Sequence, residues 1–231
     1  MHHFIFGIYP YIAMAVLLIG SVARYERDPF TWKSSSSQLL RRRLLRWGSV
    51  PFHVGVLTIF AGHFFGLLTP LWLIEALGIS HAVKQVLAMS VGGVAGALAL
   101  FGGLILLTRR LTDPRIRATS SAMDIAILSL LVLQLCLGLL TIPVSLRHLD
   151  GVEMVKFMRW AQGIFILDPQ AADYTAGASP VFQIHILTGL TLFMLFPFSR
   201  LVHLLSAPLR YLWRPGYQIV RTRRAALPDR R

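Results

Sequence analysis

The stretch GSVPFHVGVLTIFAGHFFGLLT, residues 48–69, decides the fold, because it is apolar over a membrane-spanning length and still contains two histidines. A bilayer core is about 30 Å thick, and a helix crosses it with about 20 mostly apolar residues. Ionisable side chains inside such a span are costly and usually serve a function. His53 and His63 are therefore the first candidate site residues.

Four further stretches have the same apolar character and a similar length, and they cover residues 4–22, 86–108, 123–142 and 181–205. Hydrophobic residues make up 55% of the 231-residue chain and charged residues only 14%, which is typical of membrane proteins. We predict an all-α integral membrane protein with five transmembrane helices, forming a single domain over residues 1–231.

The basic residues predict the orientation of these helices. Seven lie between the first and second spans, four follow the third span, and seven lie in the tail at 206–231, whereas the other connections contain four. Cytoplasmic loops carry an excess of Lys and Arg. We therefore expect the N-terminus outside, the C-terminus in the cytoplasm, and a basic cytoplasmic tail at 206–231.

The net charge of +13 would suggest nucleic acid as the partner of a soluble chain. Here the placement of the charge accounts for it as a topology signal and as a surface for lipid headgroups, so no nucleic-acid partner is expected. The single cysteine, Cys136, excludes an internal disulfide framework, a cysteine-held iron–sulfur cluster and a multi-cysteine zinc site.

The longest outer connection contains GVEMVKFMRWAQGIF at 151–165, where Val152, Val155 and Met158 recur at helical spacing. This pattern predicts a helix that lies in the membrane interface.

The fifth span adds a second pair of histidines, His185 and His203. Because the second and fifth spans run in opposite directions, His63 is expected opposite His185 near the outer face, and His53 opposite His203 near the inner face. On an ideal helix, positions 53 and 63 of the second span lie about 15 Å apart along the axis. Positions 185 and 203 of the fifth span would lie about 27 Å apart. This mismatch requires a tilt or a bend, for which Pro197 offers a place.

Two histidine pairs, one above the other, suit two haems with bis-histidine ligation. The motif Cys-x-x-Cys-His of c-type haem is absent, which leaves b-type haem. Gly55, Gly62 and Gly66 would give the macrocycles room. Haem propionates need cationic partners, and the candidates on the inner side are Arg200, Arg115 and Arg117. The alternatives are histidines that only tie helices together through carbonyls, or a haem-free transporter or channel lined by histidines.

Several segments resemble the gamma subunit of respiratory nitrate reductase, the membrane cytochrome b of that complex. They are IYPYIA (8–13), SSQ (36–38), FHVGVLTIFAGHFFGLLTP (52–70), VKQ (83–85), PRIRAT (114–119), LGLLTIP (137–143) and FPFSRLVHLLSAPLRYL (196–212). The spacing of His53 and His63, with the distant pair His185 and His203, is the specific part of this resemblance.

The resemblance implies the same ligand pairs, with His63 and His185 on the iron of a distal haem and His53 and His203 on the iron of a proximal one. It also implies a quinol site beside the distal haem, at Lys84, Gly62 and His63. The chain would then anchor a complex in the bacterial inner membrane and oxidise quinol near the outer face. Electrons would pass inward to an iron–sulfur subunit.

In this interpretation nitrate is reduced by a partner, the molybdenum catalytic subunit, and no nitrate chemistry belongs to this chain. The nearest alternative is a di-haem cytochrome b subunit of another quinone-linked oxidoreductase.

Overall fold

The computed structural model describes residues 1–33 and 40–206, so nearly all of the predicted basic tail at 206–231 lies outside the described residues. Within these ranges every regular element is helical, which confirms the all-α prediction. The main helices are α1 (Tyr9–Arg27), which follows a π-helical turn at Phe4–Ile8, α2 (Arg42–Leu68), α3 (Leu71–Ala76), α4 (His81–Thr112), α5 (Pro114–Ala118), α6 (Ala122–Ser145), α7 (Val152–Phe165) and α8 (Pro180–Leu195).

Five of the described helical segments are long and apolar enough to cross a membrane, as predicted, and they are Phe4–Arg27, Arg42–Leu68, His81–Thr112, Ala122–Ser145 and Pro180–Phe198. Serine side chains begin two of them. The Ser80 hydroxyl accepts from the Val83 N–H at the start of α4, and Ser121 forms a reciprocal capping box with Asp124 at the start of α6. Helix α4 thus begins at His81 and includes Lys84 in its first turns.

The fifth predicted span, 181–205, is wrong at its C-terminal end. Helix α8 stops at Leu195 and is followed by a 3₁₀ turn at Phe196–Phe198, an extended Ser199, and a second 3₁₀ turn at Arg200–Leu204. Pro197 lacks the N–H that a continuing helix needs, and this accounts for the change of conformation.

The spans pack side by side as an arc in the order α1, α8, α6, α4, α2. The longest contact in this arc joins α2 and α4, whereas α2 and α8 are not packed against each other along their length. A cleft therefore separates α2 from α8, and α4 and α6 lie between them in the arc.

Helices α2 and α4 approach closely because glycines lie at their contact. A Cβ on Gly55 would lie 2.4 Å from the Ala95 carbonyl oxygen, and one on Gly102 would lie 2.5 Å from the Gly48 oxygen. Small residues allow such approach of backbones in membranes. The expectation that Gly55 makes room for a macrocycle is thus wrong, since it faces α4.

Helix α7 covers one end of the arc. The predicted helix at 151–165 is confirmed, but its apolar side packs against protein, with Met158 fully buried and Trp160 only 8% exposed. The Trp160 indole donates to the Phe6 carbonyl at 2.8 Å. The Gln162 amide donates to the carbonyls of Leu67 and Thr69, where α2 ends. We call this the α7 end.

At the opposite end lie the arginines of the last turn of α1, the start of α2, the end of α4 and helix α5, and we call it the basic end. Asp113 begins α5 there by accepting from the backbone N–H groups of Arg115 and Ile116, and it pairs with Arg41. Burial of the Asp113 carboxyl opposes its charge, but these two backbone donors and the Arg41 guanidinium outweigh burial and lower its pKa.

Candidate functional site: two histidine pairs across a cleft

The four histidines that the sequence predicts in the spans meet as two pairs across the cleft. At the α7 end His63 of α2 faces His185 of α8, with ring centroids 6.1 Å apart and ring planes inclined by 42°. At the basic end His53 of α2 faces His203, with centroids 6.2 Å apart and planes inclined by 71°. We call these the α7-end pair and the basic-end pair.

The mismatch between 15 and 27 Å disappears because His185 and His203 do not share one helix. The expectation of about 27 Å assumed one ideal helix through both positions, and that assumption was wrong. His203 lies in the 3₁₀ turn beyond Ser199, where the chain has left the axis of α8.

Backbone carbonyls accept hydrogen bonds from Nδ1 of three of the four rings. Nδ1 of His53 lies 2.7 Å from the Ser49 carbonyl, Nδ1 of His63 lies 2.9 Å from that of Ile59, and Nδ1 of His203 bonds that of Arg200. A carbonyl oxygen only accepts, so Nδ1 is the donor, and in the neutral tautomer Nε2 then has a lone pair for a metal. This is the usual support of a metal-binding histidine.

The separations of the rings fit two imidazoles on opposite sides of one iron. With about 2 Å for each metal–nitrogen bond and about 1 Å from nitrogen to ring centre, the centroids should lie about 6 Å apart. Among residues 1–33 and 40–206, no three His, Cys, Asp or Glu side chains converge as metal ligands. Each pair therefore offers two protein ligands, and a six-coordinate iron held by them would need four further ligands from a macrocycle such as porphyrin.

The surroundings of His185 differ from those of the other three rings. Its Nδ1 is buried and has no hydrogen-bond partner among the described residues, and neither has Oε1 of Gln134. The Gln134 amide donates to the His185 carbonyl at 3.1 Å, and its Nε2 lies 3.5 Å from Nε2 of the ring. A Cβ on Gly138 would lie 3.1 Å from the ring, so this glycine gives the imidazole its place.

Open space lies beside the α7-end pair. A Cβ added to Gly62 or Gly66 would meet nothing within 4 Å. Lys84 comes to this place from α4, and its ammonium donates to the Gly66 carbonyl at 2.8 Å and lies 3.2 Å from Sδ of Met158. The structure thus brings Lys84 to within a turn of His63 on α2.

The three arginines expected near the basic-end pair have different environments. Arg200 lies three residues before His203, and its Nε and Nη2 donate to the Asp124 carboxylate at 2.7 and 2.6 Å. Arg115 and Arg117 are exposed on α5. In the described part of the chain, neither side chain has an ion pair or hydrogen bond.

Sequence reasoning missed the contributions of Gln134, Asp124 and Arg24. Gln134 carried a usable signal, because an amide in the middle of an apolar span needs a partner. Asp124 stands at the start of α6, where its capping role is local but its pairing with Arg200 depends on the fold. The contacts of Arg24 depend on the fold and carry no local signal.

The other four histidines have their contacts outside the two pairs. His3 is 3.6 Å from Asp173, His81 is 3.7 Å from Glu75, and His2 contacts the Thr175 hydroxyl. The His148 carbonyl accepts from the buried Gln85 amide.

Comparison with known proteins agrees with this geometry. The family model for the nitrate reductase gamma subunit matches residues 2–223. The chain is 52% identical to the respiratory nitrate reductase 1 gamma chain of Escherichia coli strain K12 over 96% of its length and 98% of that relative. It is 48% identical to the respiratory nitrate reductase 2 gamma chain of the same strain, over 96% of this chain and 97% of that one. Identity to the nitrate reductase gamma chain of Bacillus subtilis strain 168 is 37%, over 95% and 97% respectively. The chain therefore belongs to the nitrate reductase gamma subunit family, and its five apolar helices make it a membrane subunit of that oxidoreductase complex.

Proposed function

We propose that this chain is the di-haem cytochrome b of its nitrate reductase, which oxidises quinol near the α7 end and delivers electrons to a subunit at the basic end. The observation that carries the proposal is the occurrence of two facing histidine pairs, with centroids 6.1 and 6.2 Å apart, in one membrane cleft. Its place is the bacterial inner membrane, with the basic end and the C-terminus in the cytoplasm and the N-terminus outside.

Two b-type haems would be held by the histidines, one by His63 with His185 and the other by His53 with His203. When bound, the haems would supply the one-electron redox chemistry. Backbone carbonyls accept from Nδ1 of His53, His63 and His203, which leaves Nε2 of these three rings free for the iron. The cleft between α2 and α8 and the open side of Gly62 and Gly66 leave room for the macrocycles.

Quinol binds beside the α7-end pair, where Lys84, Gly62 and His63 lie together. The Lys84 ammonium donates a hydrogen bond to a quinol oxygen while its stem stays on the apolar wall. Quinol oxidation releases two electrons and two protons, and at this end the protons leave on the outer side. Inward transfer of each electron against a membrane potential is worth about 2.3 kcal/mol per 100 mV.

The basic end receives the partners of the chain. Clustered arginines on α1, α2, α4 and α5 make this face complementary to an acidic surface, and such fields speed and orient association. The partner in contact is an iron–sulfur subunit, which passes electrons on to a molybdenum catalytic subunit. Arg200, Arg115 and Arg117 are the candidate partners of the propionates at this end.

The haem assignment is tested by the dithionite-reduced minus oxidised spectrum of the purified complex. We expect a b-type signal with two components, one removed by His53→Ala and the other by His63→Ala. Absence of a b-type signal, or its full survival in both variants, would contradict the assignment and favour a haem-free transporter or channel.

The quinol site is tested separately with Lys84→Ala. We expect slower haem reduction by a quinol analogue, measured by stopped-flow absorbance, with both haems retained. The matched control is Lys156→Ala on α7, whose ammonium pairs with Glu153. Equal reduction rates in the Lys84→Ala and control proteins would remove Lys84 from the site.

A further inference from the structure

The position of His203 depends on a break in the fifth span. After α8 ends at Leu195, Ser199 adopts extended angles (φ −119°, ψ 178°), and the Arg200–Leu204 turn begins. The Ser199 hydroxyl accepts from the Leu201 N–H and donates to the Phe196 carbonyl. A helix end leaves carbonyls without intrahelical partners. Pro197 and Ser199 are both buried, so their carbonyl groups need hydrogen-bond donors from another part of the chain.

Arg24 of α1 supplies those donors. Its Nη1 donates to the carbonyls of Pro197 and Ser199, both at 2.7 Å. Its remaining nitrogens donate to Thr31, so both edges of the guanidinium are used. Gly20, one turn earlier on α1, accepts the proline ring, since a Cβ there would lie 2.8 Å from Cγ of Pro197. Helix α1 thus stabilises the break in the fifth span from one side, through the planar guanidinium group that only arginine has.

Asp124 of α6 holds the same segment from the other side. Its two carboxylate oxygens bind Arg200 through Nε and Nη2, and Arg110 of α4 lies 3.5 Å away. None of these three side chains is more than 20% exposed. The capping box with Ser121 fixes the carboxylate. Arg200 in turn offers its carbonyl to Nδ1 of His203, so Asp124 is connected to the imidazole through one residue.

We propose that Arg24 and Asp124 are positioning residues that aim His203 at His53 and thereby determine whether the basic-end pair binds its haem. This inference rests on the proposed haem ligation. Residues that support a metal ligand from behind change metal affinity by about 10- to 100-fold when they are lost. The α7-end pair makes no contact with either residue and serves as an internal reference.

The test compares Arg24→Ala and Asp124→Asn with Arg27→Ala in the purified complex. The amide introduced by Asp124→Asn would retain an oxygen for the capping box but not the bidentate ion pair. Arg27 is exposed on the same helix as Arg24, and within the described residues its side chain has no ion pair or hydrogen bond. Haem content is measured by pyridine haemochrome, and a redox titration followed optically resolves the two components. His53→Ala and His63→Ala assign each component to its pair.

We expect the component lost in His53→Ala to be selectively weakened or shifted in potential in both variants, with haem content falling by up to about half. Arg24→Lys should give an intermediate result, since it keeps the charge but not the fork. Equal loss of both components would overturn the proposal, because it would reveal a general structural role. Wild-type behaviour of both variants would overturn it too. Absence of haem from the unmodified complex would instead contradict the proposed function.

Discussion

The two histidine pairs are similar in separation but differ in how the chain builds them. In the α7-end pair both rings stand on regular helices, α2 and α8, and the ring planes are inclined by 42°. In the basic-end pair only His53 stands on a helix, His203 lies beyond a break, and the planes are inclined by 71°. At the α7 end, neutral hydrogen bonds from side chains of α7 stabilise the packing. At the basic end, ion pairs between arginines and aspartates do so.

This difference shows which parts of the chain determine the position of each candidate ligand. A histidine inside a helix inherits its direction from the helical period, so its partner is fixed once two helices pack. A histidine beyond a break depends on side chains of other helices, here Arg24 and Asp124. Substitutions far from the rings should therefore affect one pair and spare the other.

The largest effect of this kind is expected from Gly55→Ala on α2, two residues after His53. The added Cβ would lie 2.4 Å from the Ala95 oxygen and 2.7 Å from the Ala99 N, both backbone atoms that cannot move without separating the helices. Overpacking of this kind costs about 1–3 kcal/mol, which exceeds the gain of about 1 kcal/mol in helix propensity. We expect a lower thermal unfolding midpoint of the complex and weaker haem at the basic-end pair.

Gly62→Ala is the matched control on the same helix, one residue before His63. Its Cβ would meet nothing within 4 Å in the described structure, so the fold should keep or slightly gain stability. Equal destabilisation by the two substitutions would contradict the close packing of α2 on α4.

A smaller effect is expected from Gln162→Leu at the α7 end. It removes the donors to the carbonyls of Leu67 and Thr69, worth about 1 kcal/mol each, and loosens the end of α2 that follows His63. The redox component assigned to the α7-end pair should shift, while the other stays in place. A shift confined to the basic-end component would break the comparison.

The smallest effect is expected from Asp113→Asn at the basic end. The folded pKa of Asp113 is lowered, so the pairing with Arg41 stabilises the fold above about pH 4 and is lost as the pH falls through the lowered value. At pH 7 the variant should unfold at a slightly lower temperature than wild type, since Arg41 is largely exposed. The gap should close on acidification, and a gap that widens would contradict this sign.

Much of this architecture could be predicted from the sequence, because hydropathy over a bilayer length is a local property. The five spans follow from it, and the opposition of His63 to His185 follows from antiparallel direction. The end of the fifth span could not be predicted, since the break at 196–199 is completed by Gly20 and Arg24 of α1, far away in sequence. The role of Gly55 could not be predicted either, because its small size allows close packing on α4 and does not widen the cleft.

The pairing of the four histidines is the central claim, and haem content of two double variants tests it most directly. His63→Ala with His185→Ala removes one pair, whereas His63→Ala with His203→Ala removes one ligand from each. We expect the first purified complex to keep about half of the wild-type haem and the second to lose nearly all of it, since one axial ligand is missing at each site. Equal haem content in the two double variants, or a larger loss in the first, would contradict the pairing.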